Sequence, residues 1–150
     1  MTRIEVVTPI QAGPEVCFDL ARDLDLHPQS MAHTSERAVA GKTTGLIGPG
    51  EEVTWQGRHF GFVLEHTARI TAFDRPRHFR DEMIRGRFQT FVHDHYFEAV
   101  AGGTRMRDVV VFGSPFGALG RLVDALLLRR YLVRLLEGRG EVIRSAAQSI

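Results

Sequence analysis

One long amphipathic helix follows a series of strands, and this order limits the folds open to the chain. Strand-type sequence from Gly103 to Phe112 passes through the turn sequence 113–117 and opens into the only long helical pattern. Nearly all other strand-type segments come earlier. A sheet that is completed before its helix has to receive that helix across one face, because each buries its apolar side against the other. We therefore expect a hollow between sheet and helix, suited to a small-molecule ligand.

Length and composition are those of a single-domain globular protein. The 150 residues are 43% apolar, which is enough for one core, so we take residues 1–150 as one domain. The sequence has no apolar run of membrane-spanning length, and Met1–Glu5 lacks the character of a signal peptide. These features predict a soluble, cytoplasmic protein without stable membrane insertion.

Charge, cysteine content and missing motifs exclude several classes of site. Nineteen basic residues against eighteen acidic ones leave a net charge of +1, too small for a dedicated nucleic-acid binder. Cys17 is the only cysteine, which excludes an intrachain disulfide and a cysteine metal cluster. G-x-G-x-x-G, P-loop, G-x-S-x-G and H-E-x-x-H motifs do not occur. We predict no nucleic-acid partner and no cofactor.

The N-terminal segment reads as a strand followed by two short helices. Apolar residues alternate from Ile4 to Ile10, which is the two-residue repeat of a strand. Gly13-Pro14-Glu15 then begins a helix, because proline suits the first helical turn. A second short helix is predicted from Asp23 to Met31. Both are too short to be stable alone, so they must pack on the rest of the chain.

The middle of the chain is almost entirely strand-like, with turn signals such as Gly48-Pro49-Gly50 between the strands. The predicted strands are Glu36–Lys42, Glu52–His59, Phe62–Phe73, Arg77–Arg85, Phe88–Val100 and Gly103–Phe112. Short connections of this kind join antiparallel neighbours. Together with the first strand, these segments predict a curved antiparallel meander of six to seven strands.

After Pro115 the sequence predicts a long helix that continues to Ala147. Its apolar residues recur every three or four positions: Leu119, Leu122, Val123, Leu126, Leu127, Leu132, Leu135 and Leu136. We expect a kink or a frayed turn at Gly138 and Gly140, because glycine in a helix costs about 1 kcal/mol relative to alanine.

The opposite face of this helix carries Arg121, Arg129, Arg130 and Arg134. A solvated face is the commonest explanation of such a pattern. Contact with an anionic membrane surface is an alternative that would suit a lipid carrier. Leu128 and Tyr131 lie beside these arginines, and the sequence leaves a homodimer contact open there.

Several segments, spread over essentially the whole chain, resemble a known family in their sequence as well as in the order of their elements. They are Arg69-Ile70-Thr71, the run from Arg75 to Met83, Phe88, the Phe91-x-His93-x-His95-x-Phe97 strand, Gly103-Thr104, and Ser114-Pro115 with Gly117. These segments resemble the SRPBCC ligand-binding branch of the START-like, or helix-grip, superfamily. The resemblance implies an α+β fold whose curved antiparallel sheet wraps around the long C-terminal helix, with two short helices after the first strand. Relatives include lipid and sterol carriers, hormone-binding proteins and polyketide-type aromatic cyclases.

One strand carries two histidines between two phenylalanines. The two-residue repeat places Phe91, His93, His95 and Phe97 on one face. An H-x-H pair binds zinc if a third ligand converges, and His66 or Asp81 is available for that role. H-x-H is a short and common pattern, however, so we favour histidines that line a cavity or form hydrogen bonds, and we predict no metal.

Carboxylates on the neighbouring strands supply a second possibility. Asp81 and Glu82 are adjacent on one strand and face opposite sides, so only one can point inward. If Asp81 and Asp108 both lie among apolar neighbours, each needs a partner, and the histidines or Arg58 are available. A buried His–Asp pair can serve as a general acid/base for an aldol-type cyclisation or dehydration. It can equally be a structural hydrogen bond, which we favour.

These features together predict a cavity that binds a hydrophobic or amphipathic small molecule or lipid, with transport left open. The alternatives are a cofactor-free cyclase or dehydratase with a His–Asp pair, and a protein-interaction module built on the arginine-rich helix. We favour binding without catalysis. The predicted ligand-binding residues are Trp55, Arg58, Phe60, His66, Phe79, Asp81, Phe91, His93, His95, Phe97, Asp108, Phe112, Leu119 and Leu126.

Overall fold

A seven-stranded antiparallel sheet forms the body of the fold. The computed structural model describes residues 1–150, the side chain of Ala32 excepted. The strands are β1 (Thr2–Ile10), β2 (Arg37–Gly41), β3 (Glu52–His59), β4 (Phe62–Asp74), β5 (His78–Arg85), β6 (Thr90–Val100) and β7 (Gly103–Gly113). Their order across the sheet is β1-β7-β6-β5-β4-β3-β2. The predicted meander is therefore confirmed, and β1 completes the sheet by pairing with β7.

The helices come from the N-terminal and C-terminal parts of the chain. Two short helices follow β1, and a continuous C-terminal helix of 32 residues follows β7. The helices are α1 (Pro14–Ala21), α2 (His27–Ser30), α3 (Gly117–Val123), a π-helical stretch (Asp124–Leu128) and α4 (Arg129–Gln148). The predicted α+β class and element order are confirmed, although α2 is shorter than the predicted helix from Asp23 to Met31. None of the helices in the described part of the chain is long and apolar enough to cross a membrane.

Two groups of buried side chains make up the core. In the larger group, α1 and the end of α4 close over the sheet, and the ring of Phe18 meets the rings of Phe73, Phe79 and Phe97 at 5.2–5.3 Å. In the smaller group, Leu136 packs on β1 and β7 together with their apolar residues. The alternation predicted for β1 is visible here, because its even-numbered residues from Ile4 to Ile10 are buried and its odd-numbered ones are exposed.

The C-terminal helix α4 continues without interruption through Gly138 and Gly140, so the predicted kink or frayed turn is wrong. The prediction considered only helix propensity, whereas tertiary packing gives Gly140 a separate role. A Cβ at Gly140 would overlap Oγ1 of Thr8 on β1 and lie 3.3 Å from its Cβ. Glycine therefore lets α4 approach the sheet closely. Gly138 lies on the exposed side of the same helix.

The π-helical stretch changes which residues in the first part of the C-terminal helix point toward the sheet. A π turn holds an extra residue, so the apolar stripe before it falls out of phase with the stripe after it. Leu128, Leu132 and Leu136 face the sheet, but the buried positions nearer the start of the helix are Gly120 and Asp124. Leu119 and Leu126, two of the predicted ligand-binding residues, are consequently 66% and 67% exposed.

The two glycines provide a matched pair of variants. Gly140→Ala should lower the free energy of unfolding by about 1–3 kcal/mol, since the new methyl group forces α4 away from Thr8. Gly138→Ala should raise it by about 1 kcal/mol, because a Cβ there meets no described atom within 4 Å and alanine favours the helix. Urea unfolding followed by circular dichroism measures both. Equal effects at the two positions would contradict close packing at Gly140.

Candidate functional site

A cavity of about 360 Å³ lies between the sheet and the C-terminal helix. Most of its wall is apolar or aromatic. Lining residues include Leu24, Met31, Ile47, Val53, Leu64, Ala68, Ile70, Phe88, Val110, Leu128, Leu132, Leu135 and Leu136. Phe60 and Phe116 also line it while remaining 51% and 74% exposed, so these two rings mark its mouth.

Eight of the fourteen predicted ligand-binding residues line this cavity. They are Trp55, Phe60, His66, Phe79, Asp81, Phe91, His93 and His95. Strand alternation explains the agreement, since β3 to β6 each turn every second side chain toward the helix. The register then places neighbours side by side: Asp81 lies opposite His93 across β5 and β6, and Phe79 lies opposite His95. Their ligand-binding role stays a prediction.

The other six residues lie elsewhere. Phe97 and Phe112 are buried in the two core groups, and Asp108 is buried beside the cavity without lining it. Arg58 is exposed, because the inward positions of β3 are the odd-numbered ones and Gly57 and His59 line the cavity instead. Leu119 and Leu126 are exposed through the phase change described above.

A cluster of two histidines and two carboxylates closes the inner end of the cavity. His95 Nε2 lies 2.5 Å from Asp81 Oδ2, and His93 Nε2 lies 2.8 Å from Asp108 Oδ1. Each histidine thus pairs with the carboxylate that stands diagonally from it. The rings of His93 and His95 stack at 3.7 Å, and Phe79 stacks on His95 at 4.0 Å. These contacts set the resting orientations of both imidazoles.

Arg139 on α4 completes this cluster, and sequence reasoning did not identify it. Its guanidinium donates from Nη1 to Asp108 Oδ1 at 3.0 Å and from Nη2 to the carbonyl of Ala21 at 2.9 Å. Nη2 also lies 3.3 Å from Nδ1 of His95. A signal was available, because Arg139 lies three residues after the inward Leu136 and so continues the apolar face.

The electrostatics of the cluster follow from its burial. Burial raises the pKa of Asp108, but the charge of Arg139 and the hydrogen bonds from the histidines outweigh it and hold the pKa well below its usual value. Burial and the neighbouring His95 lower the pKa of His93. With Nε2–H of His93 donating to Asp108, its Nδ1 carries a lone pair on the cavity side, 3.9 Å from Asp81 Oδ2. Burial likewise lowers the pKa of His66, whose ring stands edge-on to Phe91.

A second polar cluster lies on the cavity wall, and sequence reasoning missed all of its members. Glu36, between α2 and β2, receives His27 Nε2 at 2.8 Å and approaches His59 Nε2 at 3.3 Å. His59 Nδ1 lies 2.6 Å from the hydroxyl oxygen of Tyr131 on α4. The inward alternation of β3 pointed to His59, but nothing local placed Glu36 beside it.

Asp81, His93 and His95 also meet the condition for metal ligation stated from the sequence. Each offers one donor atom, and the three atoms lie within 4.8 Å of one another. Of the two residues named as a possible third ligand, Asp81 meets this distance, and His66 is not one of the three.

Comparison with solved structures shows that the whole chain adopts a known fold. The chain superposes on TTHA0849 from Thermus thermophilus with a TM-score of 0.75 at 20% identity, covering 97% of this chain and 99% of that one. It superposes on Ms6760 from Mycobacterium smegmatis with a TM-score of 0.73 at 15% identity, covering 98% of this chain and 91% of that one. For ginseng major latex-like protein 151 from Panax ginseng the TM-score is 0.71 at 12% identity (97% of each chain). The chain has the START-like, helix-grip fold.

The resemblance seen in the sequence is thereby confirmed at the level of the helix-grip fold. No protein-family model and no curated protein matches the chain. The helix-grip sheet wraps the C-terminal helix and encloses the cavity described above, and both polar clusters lie on the wall of that cavity.

The buried Glu36 predicts a distinct acid sensitivity. Burial raises its pKa, but His27 and His59 outweigh burial and bring the pKa to about 2, below the usual 4.5. A depressed pKa means that the stabilisation is complete above pH 4.5 and is lost as the pH falls to about 2. Glu36→Gln should therefore be less stable than the wild type at pH 7, by up to about 3 kcal/mol, with the gap closing below pH 4.5.

Urea unfolding at a series of pH values measures that gap. Glu98→Gln, which removes an exposed carboxylate at the end of β6, is the matched control and should follow the wild-type curve. A Glu36→Gln gap that stays constant between pH 5 and pH 2.5 would show that the carboxylate is not held ionised by the two histidines.

Proposed function

We propose that this protein binds a hydrophobic or amphipathic small molecule in the cavity between its sheet and its C-terminal helix. The observation that carries the proposal is the cavity of about 360 Å³, whose apolar and aromatic wall ends in a cluster of polar side chains. Small-molecule sites usually combine a mostly apolar pocket with a few polar groups that fix orientation. A volume of this size suits a ligand of drug-like dimensions.

The polar groups divide the cavity into regions of different chemistry. The Asp81, His93 and His95 side chains lie at the inner end, and the rings of Phe60 and Phe116 lie at the mouth. A ligand that fills the whole length gains most when its polar group reaches the inner end and its apolar part lies against the rings. The proposal therefore favours an amphipathic ligand over a purely apolar one.

Exposed apolar residues near the start of the C-terminal helix suit the same function. Leu119, Leu122, Leu126 and Leu127 follow Phe116 in the chain and are all more than half exposed. Isolated exposed apolar residues are ordinary, whereas a contiguous group marks a surface at which apolar molecules arrive. Transport between two binding partners would use this mouth.

Narrowing the cavity should abolish binding. Ala68 is buried on β4 and lines the wall, so Ala68→Phe fills space that the ligand needs. Titration with the environment-sensitive dye 8-anilinonaphthalene-1-sulfonate should show one site per chain in the wild type and at least tenfold weaker binding in Ala68→Phe. Native mass spectrometry of protein incubated with fatty acids of increasing chain length tests the same cavity without a dye.

The matched control is Ala99→Phe, which adds the same ring at an exposed position of β6 outside the cavity. It should bind the dye as the wild type does. Wild-type protein that binds neither dye nor fatty acid, or an Ala68→Phe variant that folds and binds normally, would overturn the proposal.

A second candidate, cofactor-free acid/base catalysis, is favoured by one specific observation. Asp81 and His95 both line the cavity and lie 2.5 Å apart, as a catalytic His–Asp pair requires. His93 adds an oriented imidazole, because Asp108 accepts its Nε2 proton and leaves Nδ1 open toward the cavity. In this reading His93 Nδ1 removes a proton from a carbon next to a carbonyl group, and the electron pair moves onto the carbonyl oxygen.

A small carbon acid tests the candidate base without knowledge of the natural substrate. Ring opening of 5-nitrobenzisoxazole, followed by the absorbance of the phenolate product, should be accelerated by the wild type and lost in His93→Gln. His78→Gln alters a histidine on the outer side of β5, paired with Asp94 at 2.7 Å, and should leave the rate unchanged. Equal rates for all three proteins would remove the acid/base reading while leaving ligand binding intact.

A further inference from the structure

We propose that Asp81, His93 and His95 form a binding site for one divalent transition-metal ion at the inner end of the cavity. This inference goes beyond small-molecule binding and does not depend on it. The sequence favoured histidines without metal because H-x-H is a short and common pattern. The fold supplies a third ligand from the neighbouring strand, since Asp81 stands opposite His93 in the sheet.

The donor set is one that first-row transition metals prefer. Two imidazole nitrogens and one carboxylate oxygen suit zinc in a four-coordinate site and ferrous iron in a three-ligand facial arrangement. Hard cations such as Mg²⁺ and Ca²⁺ prefer oxygen ligands. The composition of the cluster therefore selects for a transition metal.

The distances need only small adjustments. Ligand atoms around a four-coordinate ion with bonds near 2.05 Å are about 3.3 Å apart. His95 Nε2 is now 2.5 Å from Asp81 Oδ2, and His93 Nδ1 is 3.9 Å from the same oxygen. The first pair has to open and the second has to close, each by less than about 1 Å. The two histidine nitrogens lie within 4.8 Å of each other and also have to approach to about 3.3 Å. Rotation of the two stacked rings and the carboxylate can supply these shifts.

Asp108 provides the outer partner that a metal-bound histidine needs. It accepts the Nε2 proton of His93 at 2.8 Å, which leaves Nδ1 as the ligating atom. Asp108 Oδ1 also lies 3.4 Å from Nδ1 of His95. An ion on Nε2 of His95 displaces the proton now shared with Asp81, and the ring then carries its proton on Nδ1, facing Asp108.

The new proton position changes the hydrogen bonds around Asp108. With its proton on Nδ1, His95 becomes a third donor to Oδ1 of Asp108, beside Nε2 of His93 and Nη1 of Arg139. Arg139 gives up the 3.3 Å contact between its Nη2 and Nδ1 of His95, but it keeps its bonds to Asp108 and to the Ala21 carbonyl.

Charge and access also favour an ion. With both rings acting as uncharged ligands, the carboxylates of Asp81 and Asp108 exceed the single positive charge of Arg139, so a divalent cation is attracted. Asp81, His93 and His95 all line the cavity. Three protein ligands leave at least one coordination position open toward the cavity, where water or a polar group of a bound molecule can be the remaining ligand.

The outer side of the same strands shows a contrasting arrangement. His78 pairs with Asp94 there, but both oxygens of Asp94 accept hydrogen bonds from Arg80. A single histidine and an arginine-bound carboxylate do not make a metal site. Asp94→Asn is therefore a control that changes a His–Asp pair without touching the proposed ligands.

Cobalt and zinc are the probes for the test. Purified wild-type protein treated with a chelator and then titrated with Co²⁺ should develop visible ligand-field absorption that saturates at one ion per chain. Calorimetric titration with Zn²⁺ should give the same stoichiometry. In ¹⁵N NMR of the wild type, Zn²⁺ should shift Nδ1 of His93 and Nε2 of His95, which reports the ligating atoms without any substitution.

Variants separate this site from other histidine clusters. Asp81→Asn should weaken Zn²⁺ binding at least tenfold, and Asp108→Asn should weaken it by about 10- to 100-fold through loss of the outer partner. Asp94→Asn and Glu36→Gln should bind as the wild type does. Circular dichroism verifies that each variant is folded, and the NMR experiment decides the matter if Asp81→Asn is not.

Three results would overturn the proposal. They are a wild type without stoichiometric binding, zinc-induced shifts at histidines other than His93 and His95, and loss of binding in Glu36→Gln. Each is distinct from a failure of the dye titration, which uses metal-free protein.

Discussion

The buried carboxylate of Asp108 is the constraint on which the rest of the structure depends. It is fully excluded from solvent, and an ionised group in that position has to be paired. Its partners come from β6 through His93 and from α4 through Arg139. Arg139 in turn reaches the end of α1 at Ala21. Four elements are thereby joined around one charge, and breaking any of these contacts leaves an uncompensated group in the core.

The placement of the C-terminal helix follows from this pairing. Arg139 can reach Asp108 on β7 only if α4 packs closely on the neighbouring β1, and the next residue, Gly140, is the one that touches Thr8 of that strand. The helix is therefore held close to the sheet at its C-terminal end. Toward its N-terminal end it leaves space above β3 to β6, and that space is the cavity. The ion pair between Arg139 and Asp108, together with the glycine at position 140, therefore determines where the cavity begins.

The sequence predicted the sheet well because strand alternation is a local property. Asp81 and Glu82 were correctly separated onto opposite faces, and the histidines of β6 were correctly placed on one face with Phe91. What the sequence did not reveal depends on contacts between distant segments. Arg139 continues the inward face of its helix, but its partner Asp108 belongs to a distant strand, and Glu36 meets His27 and His59 only in the folded chain. The inward face of the first part of the long helix was predicted wrongly, because the spacing of the leucines does not reveal a π turn.

The two polar clusters also bear on why the cavity stays open. An apolar hollow of this size gains contacts by collapsing, since side chains without neighbours lose dispersion energy. Arg139 with Asp108, and Glu36 with His27 and His59, are satisfied only while their strands and helices keep their present separation. Collapse would trade those hydrogen bonds for apolar contacts and leave buried charges unpaired. The polar groups that would orient a ligand therefore also preserve the space that it occupies.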